Sequence, residues 1–211
     1  MEAWRKEKAE LVRRYHEQNQ TAVKGGVVFA GSSLMEMFPI EDWVKELPDP
    51  KPVVYNRVVG GYTTIDYLPI LDICVWELRP SKVFINIGTN DLSDSAQTIP
   101  MLMERYDSIL SQIEGHLPGV EIYLMAYYPV NPEAAEEGMK RVLQVRSNER
   151  IAQANREVER LAEKHGQRFV DLNRPLTDEK GRLKAEYTIE GMHINPAGYR
   201  TVFDQIKKLI Q

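Results

Sequence analysis

Ser33, His193 and a glutamate three residues before that histidine, Glu190, are the side chains of this sequence best suited to acyl transfer. A serine hydroxyl is a weak nucleophile and needs a base within hydrogen-bond reach, which His193 would provide. An imidazole in that role needs a carboxylate to fix its tautomer and steady its positive charge, the part open to Glu190. The oxyanion of a tetrahedral intermediate needs preorganised donors. The backbone N–H groups of Ser33 and Gly61 and the side-chain amide of Asn90 are the candidates. Glycine at 61 would let the backbone approach a substrate with no Cβ in the way. Each piece alone has a plainer explanation: a turn or cap for the serine, a turn for Gly60-Gly61, a helix-cap pair for Asn90-Asp91, a structural role for the histidine. Their order along the chain carries the reading: nucleophile, glycine donor, asparagine donor, then carboxylate and base.

The elements that must position these residues alternate between helix and strand. Glu2 to about Val23 reads as a charged helix with an apolar stripe of Trp4, Leu11, Val12 and Tyr15, ended by Lys24-Gly25-Gly26. Short apolar strands are expected at 27–30, 53–56, 82–87, 120–126 and 168–171. A helix capped by Thr63 or Thr64 runs to about Leu78, bent or shortened at Pro69. The cleanest period, Leu102, Tyr106, Ile109, Leu110, Ile113 and Leu117, is stopped by Pro118-Gly119. A polar loop with Asn131-Pro132 precedes a helix from about Ser147 to His165, and Pro196 opens the last helix. Five strands separated by helices require crossovers, and so an α/β fold: a three-layer α/β/α sandwich around a flavodoxin-like, doubly wound five-stranded parallel sheet. Ligands bind such sheets at the carboxyl ends of the strands. With the first strand central, the segments after strands one, two and three and the segment before the last helix meet on one rim.

The 211 residues are 43% hydrophobic and 27% charged, as expected of one globular domain spanning 1–211. A net charge of −4 argues against nucleic acid or an anionic membrane as the main partner. Cys74 is the only cysteine, so no intrachain disulfide forms, and its apolar surroundings mark it as a core thiol. No secretory signal and no apolar run of the roughly 18 residues needed to span a membrane are visible, which points to the cytoplasm. G-x-S-x-G, G-x-G-x-x-G and P-loop patterns are absent. Glu190-x-x-His193 stands alone in a loop, so neither metal nor cofactor is expected.

Gly31-Ser32-Ser33-Leu34 resembles the first block of the SGNH (GDSL-type) hydrolases. Gly61 falls at their block-two glycine, Gly88-Thr89-Asn90-Asp91 matches the third block, and Glu190-Gly191-Met192-His193 is similar to the last. The chain looks most like small bacterial acylhydrolases related to platelet-activating-factor acetylhydrolase. The resemblance implies a flavodoxin-like sandwich and a serine esterase without cofactor. Ser33, His193 and Glu190 would be catalytic, and Ser33, Gly61 and Asn90 would form the oxyanion hole. Three positions depart from the family pattern: Ser32 and Glu190 where aspartates are usual, and Val58 where related sequences often have glycine. A spacing matched to Asp implies a looser hold of Glu190 on His193 and reduced activity. Val58 implies an altered exit from the second strand.

Tyr62, Leu92, Tyr127, Tyr128 and Tyr187 lie in or beside the rim loops and would wall an acyl or sugar pocket. With no insertion long enough for a lid, the substrate is expected to be a small short-acyl ester, acetyl above all. The protein is expected as a monomer or a homodimer. The rival reading is a flavodoxin-like anion- or carbohydrate-binding module, or an SGNH fold with little turnover, in which Gly31-Ser32-Ser33 and Gly60-Gly61 cradle an anion. It leaves Asn90 and His193 without a role.

Overall fold

Strands covered on both faces read as near-continuous apolar runs, and all five residues of the first strand, β1 (Val27–Gly31), are buried. With β2 (Val54–Asn56), β3 (Lys82–Asn86), β4 (Glu121–Met125) and β5 (Arg168–Val170) it forms a wholly parallel sheet in the order β2-β1-β3-β4-β5. The computed structural model describes residues 2–211. Nine α-helical segments are assigned among the described residues. They are α1 (Glu2–Asn19), α2 (Ser33–Glu36), α3 (Ile40–Trp43), α4 (Thr64–Tyr67), α5 (Leu71–Cys74), α6 (Ile99–His116), α7 (Glu137–Val145), α8 (Asn148–Lys164) and α9 (Pro196–Ile206). No described helix is long and apolar enough to cross a membrane.

The period-two alternation of the strands divides the interior into two cores. Ala30, Val83, Ile85 and Leu124 face a core shared with Val12 of α1, Leu71 and Cys74 of α5, and the apolar stripes of α6 and α8. Val27, Phe29, Phe84 and Tyr123 face the other, shared with α2, α3 and α9. Register places Phe29 beside Phe84 and Phe84 beside Tyr123, and their rings stack at centroid distances of 5.0 and 4.4 Å. Burial pushes the Cys74 thiol up to about 12, which keeps it protonated and inert.

Three elements differ from the sequence expectation. The helix expected to reach Leu78 is cut into α4, a 3₁₀ turn at Leu68–Ile70 around Pro69, α5 and a second 3₁₀ turn at Trp76–Leu78. The first helix ends at Asn19 rather than Val23. The Asn19 side chain turns inward there, donating to Ile73 O at 2.7 Å and accepting from Arg57 Nε at 3.1 Å. The expected polar loop after β4 contains a 3₁₀ turn at Pro132–Ala134 and the helix α7. Met139, Val142 and Leu143 of α7 fall at helical spacing, and Leu143 is buried, within a stretch that the sequence expectation treats as loop.

Candidate active site

The chain leaves β1 for β2 on one side and returns to β3 on the other, so the crevice between the ends of β1 and β3 is the topological switch point. Ser33 opens α2 directly after β1, and Asn90 follows β3 by four residues. Tyr199 of α9 donates its hydroxyl to Leu34 O at 2.6 Å, pinning the turn that carries Ser33 to the helix that follows His193.

His193 Nε2 lies 3.1 Å from Ser33 Oγ, across 160 residues of sequence. Its Nδ1 lies 2.5 Å from Glu190 Oε1, which also accepts the His193 backbone N–H at 3.3 Å. A carboxylate on Nδ1 places the ring proton there and turns the Nε2 lone pair toward the hydroxyl. The extra methylene of Glu190 does not loosen the contact with the ring. The hairpin around this pair is held by Ile189 N to His193 O at 2.9 Å and Thr188 Oγ1 to His193 O at 3.1 Å. Gly191 sits at φ +95°, and a Cβ there would come within 2.7 Å of Ala135 Cβ and of Asn131 O. Asn131 N in turn donates to Gly191 O at 2.7 Å, which closes the loop from outside.

The residues expected as donors follow β1, β2 and β3. Val59 N donates to Gly31 O at 3.0 Å, fastening the loop after β2 to the turn before Ser33. The tight turn from Val59 to Tyr62 closes through Tyr62 N to Val59 O at 3.2 Å. It puts Gly61 third at φ +82°, where a type II turn favours glycine. Asn90 Nδ2 donates to Tyr62 O at 2.9 Å, so the residue after Gly61 is tied to Asn90. The Ser33 N–H stands in the first turn of α2, where no acceptor within the helix exists. Val58 is buried and absent from the positive-φ residues, and it passes β2 into this loop without backbone strain.

A family model for the GDSL-like lipase/acylhydrolase family matches residues 29–201. The chain belongs to that family. No curated protein matches it. Among solved structures, a Streptococcus pneumonia chain provisionally described as a platelet activating factor is 29% identical. It has a TM-score of 0.86 and covers 98% of this chain and 94% of that one. A GDSL-like lipase from Bacteroides thetaiotaomicron is 22% identical at a TM-score of 0.76, covering 94% of this chain and 96% of that one. A catalytic mutant of an acetylxylan esterase from Geobacillus stearothermophilus is 18% identical at a TM-score of 0.68, with 90% and 95% covered. The last two likenesses are of fold.

In this GDSL-like acylhydrolase three of the expected pocket residues are not at the surface. Tyr127 is fully buried with its hydroxyl on Ile87 O at 2.8 Å, and Leu92 is packed into the same core. Tyr128 is likewise buried, in the second core. A residue at a strand end turns inward when its side chain continues the alternation of the sheet, and sequence position cannot distinguish that from a rim position. Tyr62 and Tyr187 are half-buried; the Tyr62 ring sits 6.0 Å from the ring of Trp4, and Trp4 packs on Gly61. Sequence reading gives Asp91 only a place in a cap pair and in the third block, and passes over Arg146. Asp91 accepts from Thr64 N, Thr64 Oγ1 and Arg105 and fixes the loop after β3 to α4. Arg146, at the end of the unexpected α7, donates to Asn90 Oδ1 at 2.9 Å.

Glu190→Gln retains an acceptor beside Nδ1 and removes the negative charge that would steady an imidazolium. The expected result is a fall in kcat of about tenfold or more. Steady-state kinetics of the purified variant check it, and a loss below about twofold would take Glu190 out of the reaction.

Proposed function

We propose that this acylhydrolase is a serine esterase that cleaves small short-acyl esters, acetyl esters first, through an acyl-enzyme. The observation that supports it is the unbroken relay Ser33 Oγ, His193 Nε2, His193 Nδ1, Glu190 Oε1. Ser33 Oγ attacks the ester carbonyl carbon while His193 Nε2 takes its proton. The carbonyl π pair moves to oxygen, and that oxyanion is received by the N–H groups of Ser33 and Gly61 and by the Asn90 amide. Collapse expels the alcohol, which takes the proton from His193 and leaves the acyl group on Ser33. Water, deprotonated by His193, repeats the sequence and releases the carboxylic acid. An anion-binding module would give this relay nothing to do.

The preference for short acyl groups rests on the sequence expectation that no insertion is long enough for a lid, the long connection between β5 and α9 being the one that carries Glu190 and His193 themselves. The acetylxylan esterase among the structures of similar fold puts acetyl groups on sugars among the substrates to try. A panel of p-nitrophenyl esters of increasing acyl length, together with acetylated sugars, tests the reading on wild type and on Ser33→Ala. Ser33-dependent turnover falling with chain length is expected. Equal turnover by the two proteins would overturn it.

A further inference from the structure

The two ends of an asparagine amide have nearly the same shape, so only hydrogen bonding decides which end faces the reacting carbonyl. We propose that Arg146 is a positioning residue for the hydrolysis proposed above: its guanidinium sets the orientation of the Asn90 amide and polarises it toward the oxyanion. The inference rests on that reading of the site.

A guanidinium has donors and no acceptor, so the Asn90 atom 2.9 Å from Arg146 Nη2 is the oxygen. The nitrogen must face the other way, and there it meets a carbonyl, Tyr62 O, at 2.9 Å. A donor on one side and an acceptor on the other leave the amide a single orientation. One N–H of Nδ2 is used by Tyr62, and the second remains for the oxyanion. A cation on the oxygen draws electron density away from the nitrogen and makes that second N–H a better donor, as in any hydrogen-bonded chain.

The rest of the fork reaches both lips of the site. Arg146 Nε donates to Ser93 Oγ at 2.7 Å, on the same loop as Asn90. Nη1 contacts Met192 Sδ at 2.8 Å, between Glu190 and His193. The side chain is buried, with 3% of the residue exposed. Burial draws its pKa down, opposed by the charges of Asp91 and Glu190, to about 10, so it remains a cation at neutral pH.

Stability alone does not favour this arrangement. A buried charge is costly unless it is paired, and the three atoms bound by Arg146 are a neutral amide, a hydroxyl and a thioether. Asp91 is already engaged by Thr64 and Arg105. Glu190 Oε2, on the other side, is buried and has no hydrogen-bond partner, and the Glu190 charge acts on Arg146. An unpaired cation behind the oxyanion donor and near the carboxylate of the relay fits a functional placement.

A double-mutant cycle tests the coupling. Arg146→Met is expected to lower kcat for p-nitrophenyl acetate by about tenfold or more with KM within about twofold. In an Asn90→Ala background the same substitution is expected to cost less than about threefold, because the group it acts through is gone. Arg146→Lys, which keeps the charge and loses the fork, is expected to fall between wild type and Arg146→Met. The same fractional loss in both backgrounds, or wild-type kcat in a folded Arg146→Met protein, overturns the proposal. Should Arg146→Met not fold, Arg146→Lys is carried through both backgrounds against the same criterion. Wild type and Ser33→Ala are assayed alongside. Absence of Ser33-dependent turnover overturns the esterase reading itself, whereas Ser33-dependent turnover indifferent to Arg146 overturns only this inference.

Discussion

Replacing Ser33 with alanine is expected to lower kcat for p-nitrophenyl acetate by about 10⁴-fold or more while leaving the melting temperature close to that of wild type. The hydroxyl is half-buried and makes its hydrogen bond to His193 Nε2, a contact outside either apolar core. Leu34 and Met35, the residues of α2 that fill the second core, are untouched by the change. Alanine is accepted in the first turn of a helix, so the backbone has no reason to move. Surface and half-buried substitutions of this kind shift stability by about 0.5 kcal/mol. Activity and stability therefore separate cleanly at this position. Thermal melting and steady-state hydrolysis on the same preparations check both halves, and substantial residual turnover would mean that another group attacks the ester.

The second large effect is expected at Asn90. Removing one oxyanion donor costs about 10²–10³ in kcat, or about 2.7–4 kcal/mol of transition-state stabilisation. Asn90→Ala also deprives Arg146 of an acceptor and Tyr62 O of a donor, so a stability loss of about 1 kcal/mol accompanies it. The two effects are told apart by KM. A donor used only once charge has developed on the carbonyl oxygen leaves KM nearly unchanged, whereas a collapsed loop raises it. A kcat loss under about fivefold would exclude the Asn90 amide from oxyanion stabilisation.

What the sequence revealed and what it hid follow from the range of the interactions involved. The strands were legible because apolar runs such as Val27–Ala30 are dictated by burial on both faces. The cap of α4 was legible because it is local: Thr63 Oγ1 accepts from Asp66 N, and Asp66 accepts the Thr63 N–H. The Ser33–His193 pairing could be inferred from topology, since both residues follow or precede elements that end on one rim. Glu190 was expected to hold His193 loosely, but side-chain reach depends on loop shape, and the Gly191 turn brings the carboxylate to 2.5 Å from the ring. Arg146 gave no local signal. Its partners Asn90, Ser93 and Met192 lie 56, 53 and 46 residues away, and α7, which delivers it with Met139, Val142 and Leu143 on one face, is not among the expected elements. Tyr127, Tyr128 and Leu92 were misplaced for the complementary reason: a residue just past an element can continue the core as readily as leave it.

The central claim is that His193 makes the Ser33 hydroxyl reactive, and a fluorophosphonate probe followed by peptide mass spectrometry tests it most directly. The expected result is a single phosphonyl adduct on Ser33, absent from Ser33→Ala and strongly slowed in His193→Ala. An adduct at another residue, or equal labelling of Ser33 with and without the imidazole, would contradict it.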